Sequence, residues 1–338
     1  VYKRQLSYLQ AMHQAQGRSN AESLFDIAQI PSDNQIRNLL DPISPEALYS
    51  VFSRSFAALE HQGHLEGYRF FEECFLLPID GTEYFRSAKI HCEHCTKSHH
   101  KNGKVSYSHK VLTPVLAAPD NPKVIALQPE FIRPQDGAQK QDCELNAAKR
   151  WIERNASLAE KQIIILGDDL FSREPFCRLL EQNGFHFILV CKPDSHQTLY
   201  EWVESFEKTQ DLESFSQRKW NGRFHEHTTY RYRNQLPIKE GEEVLHVNWV
   251  EVTVRHSKTQ QILYHNAFIT DFPLDRGTVS LIVQGGRTRW KVENENNNVL
   301  KTKGYHLEHN YGHGKQFLSE TCLLYTSPSP RDGLLSRM

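Results

Sequence analysis

Two short apolar runs, FLLPI at 75–79 and IIILG at 163–167, each end on an aspartate, Asp80 and Asp168. Short apolar runs of this kind read as strands. The segments around them extend the pattern. CFLLPIDGTEYF, VSYSHKVLTPVLAAP and KVIALQPEFIRP predict three successive strands, and QDCELNAAKRWIERNA predicts a helix capped by Asp142. After QIIILGDDLF comes a second helix, EPFCRLLEQNG, with Pro175 in its first turn and Gly184 as its stop, and then the strand HFILVCK.

That order, three strands, helix, strand, helix, strand over 74–214, matches the core of a ribonuclease-H-like fold, an α/β mixed sheet flanked by helices. In such a sheet the first and fourth strands are neighbours, so Asp80 and Asp168 are expected to meet. Residues 6–73 read as a helical segment, with Ser32 or Asp33 as an N-cap and the apolar residues of SPEALYSVFSRSFAALEHQG recurring at three and four. Residues 215–272 are polar and aromatic-rich and read as an all-β insertion. The core resumes over 273–321, where GRTRWKVENENNNVLKTKG predicts a last helix with Arg289 and Glu293 on one face.

Hydrophobic residues make up 38% and charged residues 24%, which describes a folded chain rather than a disordered one. No apolar run approaches the ~18–20 residues of a membrane span and no signal-peptide pattern opens the chain, so the expected location is cytoplasmic, without a membrane partner. A net charge of -1 lacks the overall basic excess of many nucleic-acid-binding proteins, so any DNA-binding surface must be local. The two ends, Val1–Gln5 and Cys322–Met338, lack periodicity, and codons for the first are the reverse complement of codons for the start of the second. Both resemble translated sequencing adapter. Without Lys3, Arg4, Arg331 and Arg337 the remainder is slightly acidic.

LLPIDGTEYF, IILGDDLFSREPF and RWKVENENNNVLKTKGYHLEHNYGHG resemble the three acidic motifs of bacterial insertion-sequence DDE transposases related to the IS-four family. The strand-rich segment before the third motif is also similar to that family. The resemblance implies Asp80, Asp168 and Glu293 as catalytic carboxylates binding Mg2+ or Mn2+. It implies Arg289 as a contact to the transposon-end phosphate, with Lys291, Lys301 and Lys303 adding local positive charge. The partners it implies are double-stranded DNA, at the inverted-repeat ends and the target, and a second copy of the chain. Asp169 rivals Asp168, which directly follows Leu-Gly as the family's aspartate does. Glu295 rivals Glu293, but two positions along a helix turn it about 200° away. The chemistry suits such carboxylates, because phosphodiester cleavage needs charge neutralised on the attacking and leaving oxygens.

A second constellation lies in HCEHCTKSHHKNG, within the hairpin 91–109. Cys92 and Cys95 have zinc-ligand spacing, and His91, His94, His99, His100 or His109 could complete four ligands. His99 and His100 stand as the expected partners in a closed structural site. LEHNYGHG, with His306, His309 and His313, reads as a loop with a structural or DNA-contact role, and the polar QDGAQKQDCE offers Lys140 and Glu144. Two other classes compete with a transposase: a catalytically inactive, transposon-derived DNA-binding protein, and a zinc-dependent hydrolase using the Cys/His cluster.

Overall fold

A computed structural model describes residues 32–134, 141–305 and 307–326. Val1–Gln5, residues 6–31, Lys140, His306 and the tail from 327 lie outside them. Among the described residues no helix is long and apolar enough to cross a membrane.

The described residues begin with α1 (Asp33–Leu40) and α2 (Tyr49–His61). Ser32 caps α1 through a reciprocal pair with Gln35. The strands then follow as β1 (Phe75–Pro78), β2 (Gly81–Ser87), β3 (Thr96–His99), β4 (Val105–Leu112), β5 (Val115–Ala118), β6 (Asn121–Ala126) and β7 (Glu130–Ile132). Helix α3 (Glu144–Arg154), β8 (Ile163–Gly167), α4 (Glu174–Gln182), β9 (His186–Val190) and α5 (Gln197–Lys208) come next. Four long strands, β10 (Glu213–Trp220), β11 (His225–Pro237), β12 (His246–His256) and β13 (Ile262–Thr270), lead to α6 (Val279–Thr288). A π-helical turn (Val292–Asn297), α7 (Asn298–Thr302) and α8 (Leu318–Thr326) finish the described chain.

The result is a mixed α/β protein built on a nine-stranded sheet in the order β10-β11-β12-β13-β9-β8-β1-β5-β6. β1, β8 and β9 run parallel and β5 is antiparallel to β1. Alternation along β1 and β8 sends Phe75, Leu77, Ile163 and Ile165 into one core, with Trp151 of α3, Phe176 of α4 and Leu199 of α5. Leu76, Ile164 and Leu166 enter the opposite core, closed by Val279, Ile282 and Val283 of α6. Each such side chain, fully buried, contributes about 1.5–3 kcal/mol. The strands β10–β13 lengthen this sheet beyond β9 rather than forming a separate body.

The predicted three-strand meander is bent. β1 and β2 break at Ile79 and Asp80, and β4 and β5 break at Thr113 and Pro114. The outer halves, with β3 and β7, make a second sheet of four strands. Proline supplies part of the cause, since Pro114 has no N–H to give a ladder. The small sheet packs Tyr84, Val111 and Phe131 against Leu307, Tyr311, Leu318, Cys322 and Leu323.

Two local expectations need correction. Cys143, not Asp142, occupies the N-cap of α3. Asp142 is buried and accepts instead from the Arg150 guanidinium and the Arg133 N–H. The last helix is not continuous over 286–304. It widens into the π-turn, a form often found where a functional site imposes its own geometry.

Candidate functional site

Asp80 sits at the bend between the two sheets. Its carbonyl accepts from both the N–H (2.9 Å) and the hydroxyl (3.2 Å) of Thr113, so the opposite strand fixes the bend. Parallel pairing of β1 with β8 carries Ile79 alongside Leu166, and Asp80 and Asp168 therefore leave neighbouring strand ends. The π-turn contributes from the other side. Arg289 Nη1 donates to Glu293 Oε1 at 2.7 Å, and Asn297 Nδ2 donates to Asp80 Oδ2 at 3.3 Å.

Glu144, at the start of α3, joins this group. A Cβ on Gly81 would lie 2.4 Å from the Glu144 side chain, so the glycine after Asp80 is the space in which that carboxylate rests. The electrostatics record the crowding. Burial, then Glu293 and Glu144, push the Asp80 carboxyl up to about 7, with Asp168 adding to the rise and Arg289 opposing it. Burial also raises Glu144, with Asp168 and Glu83 contributing against Lys110.

The paired acidic residues are distinguished by their partners. Asp169 Oδ1 accepts the Lys192 N–H at 2.7 Å and its other oxygen accepts the Ser195 hydroxyl, which commits it to the turn after β9. Asp168 accepts only the Leu170 N–H at 2.9 Å among the hydrogen bonds of its carboxylate. Glu293 is half-buried beside Arg289, whereas Glu295 is exposed.

The basic residues divide less favourably. Arg289 is buried and paired to Glu293, with its guanidinium 5.5 Å from the Trp290 ring centre. Lys291 donates to the Asn121 carbonyl and also lines an open cleft of about 550 Å³ shared with Lys219 and Arg287. Lys301 pairs with Glu308 at 3.0 Å, and Lys303 is exposed. The structure thus gathers Asp80, Asp168 and Glu293, and ties three of the four cations to protein partners.

The Cys/His constellation forms with different histidines. Among the described residues, Cys92, Cys95, His109 and His313 are the one group of His, Cys, Asp or Glu side chains whose ligand atoms all lie within 4.8 Å of one another. The carboxylates around Asp80 are not drawn that closely together. His99 and His100 are displaced because β3 leaves Cys95 in extended form, and four residues of strand travel about 13 Å. His100 bonds the Ser106 hydroxyl at 2.8 Å at the far end of the hairpin. His109 returns on β4 beside Ser108, which pairs with Thr96.

Glu144, Thr113, Asn297 and the placement of His313 were not assigned to these sites from sequence. Only Gly81 carried a signal for Glu144, since a glycine inside a strand marks close approach. The Cys/His group offers four protein ligand atoms, the number of a closed structural zinc site rather than of a hydrolytic one.

No protein-family model matches the chain, and no curated protein is recognisably similar to it. Among solved structures it is similar to the NurA nuclease from Sulfolobus solfataricus, with 11% identity, a TM-score of 0.27, and coverage of 72% of this chain and 85% of that one. That score is too low to define a shared fold.

Proposed function

We propose that this chain is a DDE transposase that cleaves DNA at transposon ends and joins the freed 3′ end to target DNA. The observation that carries the reading is the burial of the Asp80 carboxyl beside Glu293, Glu144 and Asp168 at adjoining strand and helix ends. A buried carboxylate with other carboxylates around it is a hard-oxygen donor set that a divalent cation would relieve. Further support comes from the order β6-β5-β1-β8-β9, three antiparallel strands followed by two parallel to the first, as in a ribonuclease-H-like core.

Asp80, Asp168 and Glu293 would hold Mg2+ or Mn2+, which when bound would polarise the scissile phosphate and favour ionisation of the attacking water or hydroxyl. Asn297 and Thr113 keep Asp80 in place, and Arg289 orients Glu293. In the first step water oxygen bonds to phosphorus as the P–O3′ bond breaks, leaving a 3′ hydroxyl and a 5′ phosphate. In the second that hydroxyl attacks a target phosphodiester and displaces its 3′ oxygen. Lys303, with Lys291 and Lys301 once exchanged from their present partners, would supply the local phosphate contacts, which predicts salt-sensitive binding. A second copy would pair the two ends.

Duplexes cut from the DNA on either side of the gene, where this reading expects inverted repeats, test this directly. Magnesium-dependent nicking at the repeat boundary is expected, with Asp80→Ala and Glu293→Ala abolishing it while sparing binding. Full cleavage by either variant sinks the assignment. Binding without any cleavage by the unaltered chain would favour the inactive DNA-binding reading.

A further inference from the structure

We propose that Cys92, Cys95, His109 and His313 hold one zinc ion that ties the hairpin rooted at Asp80 to the loop that ends the third acidic motif. The spacing fits that ion. A tetrahedral site with Zn–S near 2.3 Å and Zn–N near 2.0–2.1 Å separates its two sulfurs by about 3.8 Å and each sulfur from nitrogen by about 3.6 Å. The Cys92 and Cys95 sulfurs stand 3.8 Å apart, and His109 Nε2 lies 3.6 Å from the first and 3.4 Å from the second. A disulfide would require about 2.05 Å.

His313 supplies an independent pointer. Both of its ring nitrogens are buried without a hydrogen-bond partner, although it lies beside the two sulfurs. An imidazole so placed carries a desolvation cost that ligation would offset at one of the two nitrogens. The surroundings hold the rings in position: His109 stacks on Tyr84 at 5.6 Å, and His313 meets the edge of Phe85 at 4.7 Å. The Cys92 N–H donates to the Cys95 sulfur at 3.4 Å, the support a ligating thiolate needs from its own loop. His94 Nε2 donates to the Lys315 carbonyl at 3.0 Å, so the same loop reaches the second segment twice.

The consequence is a clamp between parts of the chain far apart in sequence. His109 lies on β4, four residues before the Thr113 that fixes Asp80, and His313 precedes α8. All three acidic motifs fall around the loop that the ion closes or at its edge. The inference stands whether or not the chain is a transposase.

Metal analysis of the full chain purified with zinc present is expected to give about one zinc per chain. Cys92→Ser and His313→Ala should lose it, and the double variant His99→Ala, His100→Ala should keep it. Because His313→Ala also removes the packing against Phe85, His313→Cys provides the second measurement. It should retain the metal, and after cobalt substitution its thiolate-to-metal charge-transfer band should grow by roughly half, as two thiolates become three. A zinc chelator should lower the melting temperature and expose residues 307–326 to protease, and excess magnesium should not reverse either. Zinc-free wild type after reconstitution, full zinc in His313→Ala, loss of zinc from folded His313→Cys, or its loss from the His99, His100 variant would each overturn the site. Asp80→Ala should keep its zinc, which separates this outcome from any failure of DNA cleavage.

Discussion

Asn297 donates its side-chain amide to the Asp80 carboxylate at 3.3 Å while its carbonyl oxygen accepts from the Thr113 hydroxyl at 2.9 Å. One asparagine on the π-turn thereby joins the first acidic motif to the strand that fixes the bend. It stands four residues after Glu293, so the turn presents both side chains to the same place.

The raised Asp80 carboxyl sets a pH dependence. With a folded value of about 7 against an ordinary 3.8, the folded chain binds more protons between these limits, so this group's contribution is fully present below 3.8 and is lost as pH rises through 7. Without divalent metal, Asp80→Asn should melt a few degrees above wild type at pH 8 and close to it near pH 4. Magnesium should narrow the difference at pH 8 by binding only the carboxylate form. Thermal melts across pH, with and without the metal, measure this. A gain largest at acid pH would contradict it.

Gly81 gives a steric test. In Gly81→Ala the added methyl would meet Glu144 at 2.4–2.7 Å, and the carboxylate must swing away. We expect a loss of about 1–3 kcal/mol in urea unfolding. Adding Glu144→Ala should restore most of the stability but not the affinity for divalent metal, as read by calorimetry. Unchanged stability together with unchanged metal affinity in the single variant would show that Glu144 does not rest there.

Asp168 and Asp169 should separate function from folding. Asp169→Ala strands the Lys192 N–H and the Ser195 hydroxyl and should cost about 1–3 kcal/mol. Asp168→Ala should change stability little yet remove metal-dependent cleavage. Denaturant melts beside a nicking assay decide the pair, and a reversed pattern would transfer the metal role to Asp169.

Asp41 fastens the final segment. Its carboxylate accepts the N–H groups of Lys315, Gln316 and Leu318 at 2.9, 3.0 and 3.1 Å, and a Cβ on Gly314 would come within 2.0 Å of it. Asp41→Ala should cost about 1–2 kcal/mol as a lost helix cap, and Gly314→Ala should destabilise through the collision. Chemical unfolding measures both. Neutral behaviour of either would mean the segment is held mainly by Glu320 on Arg133.

Much was legible in the chain because its signals are local. Five consecutive buried residues in IIILG, the proline and glycine bracketing α4, and the Ser32 cap with Gln35 depend on neighbours within one turn or one strand. Asp80 and Asp168 were readable as partners because a parallel pair of strands brings their ends together. The zinc partners were not, because Cys92 and Cys95 fix only half a site and the hairpin contains more histidines than the ion needs. Register on β4 selected His109, and His313 came from a loop whose path depends on Gly312, at a φ of +117°, and on the Asp41 cap.

The sequence by itself determined the alternation of strands and helices, the apolar faces they bury, and the residue types able to carry metal chemistry. Tertiary structure alone decided that the meander bends at Asp80 and Thr113, that Glu144 occupies the space above Gly81, and that Asn297 donates to Asp80. The reason is physical. Periodicity records which face of an element is buried, whereas the choice among several Glu, His and Asn side chains is made by packing between elements distant in sequence.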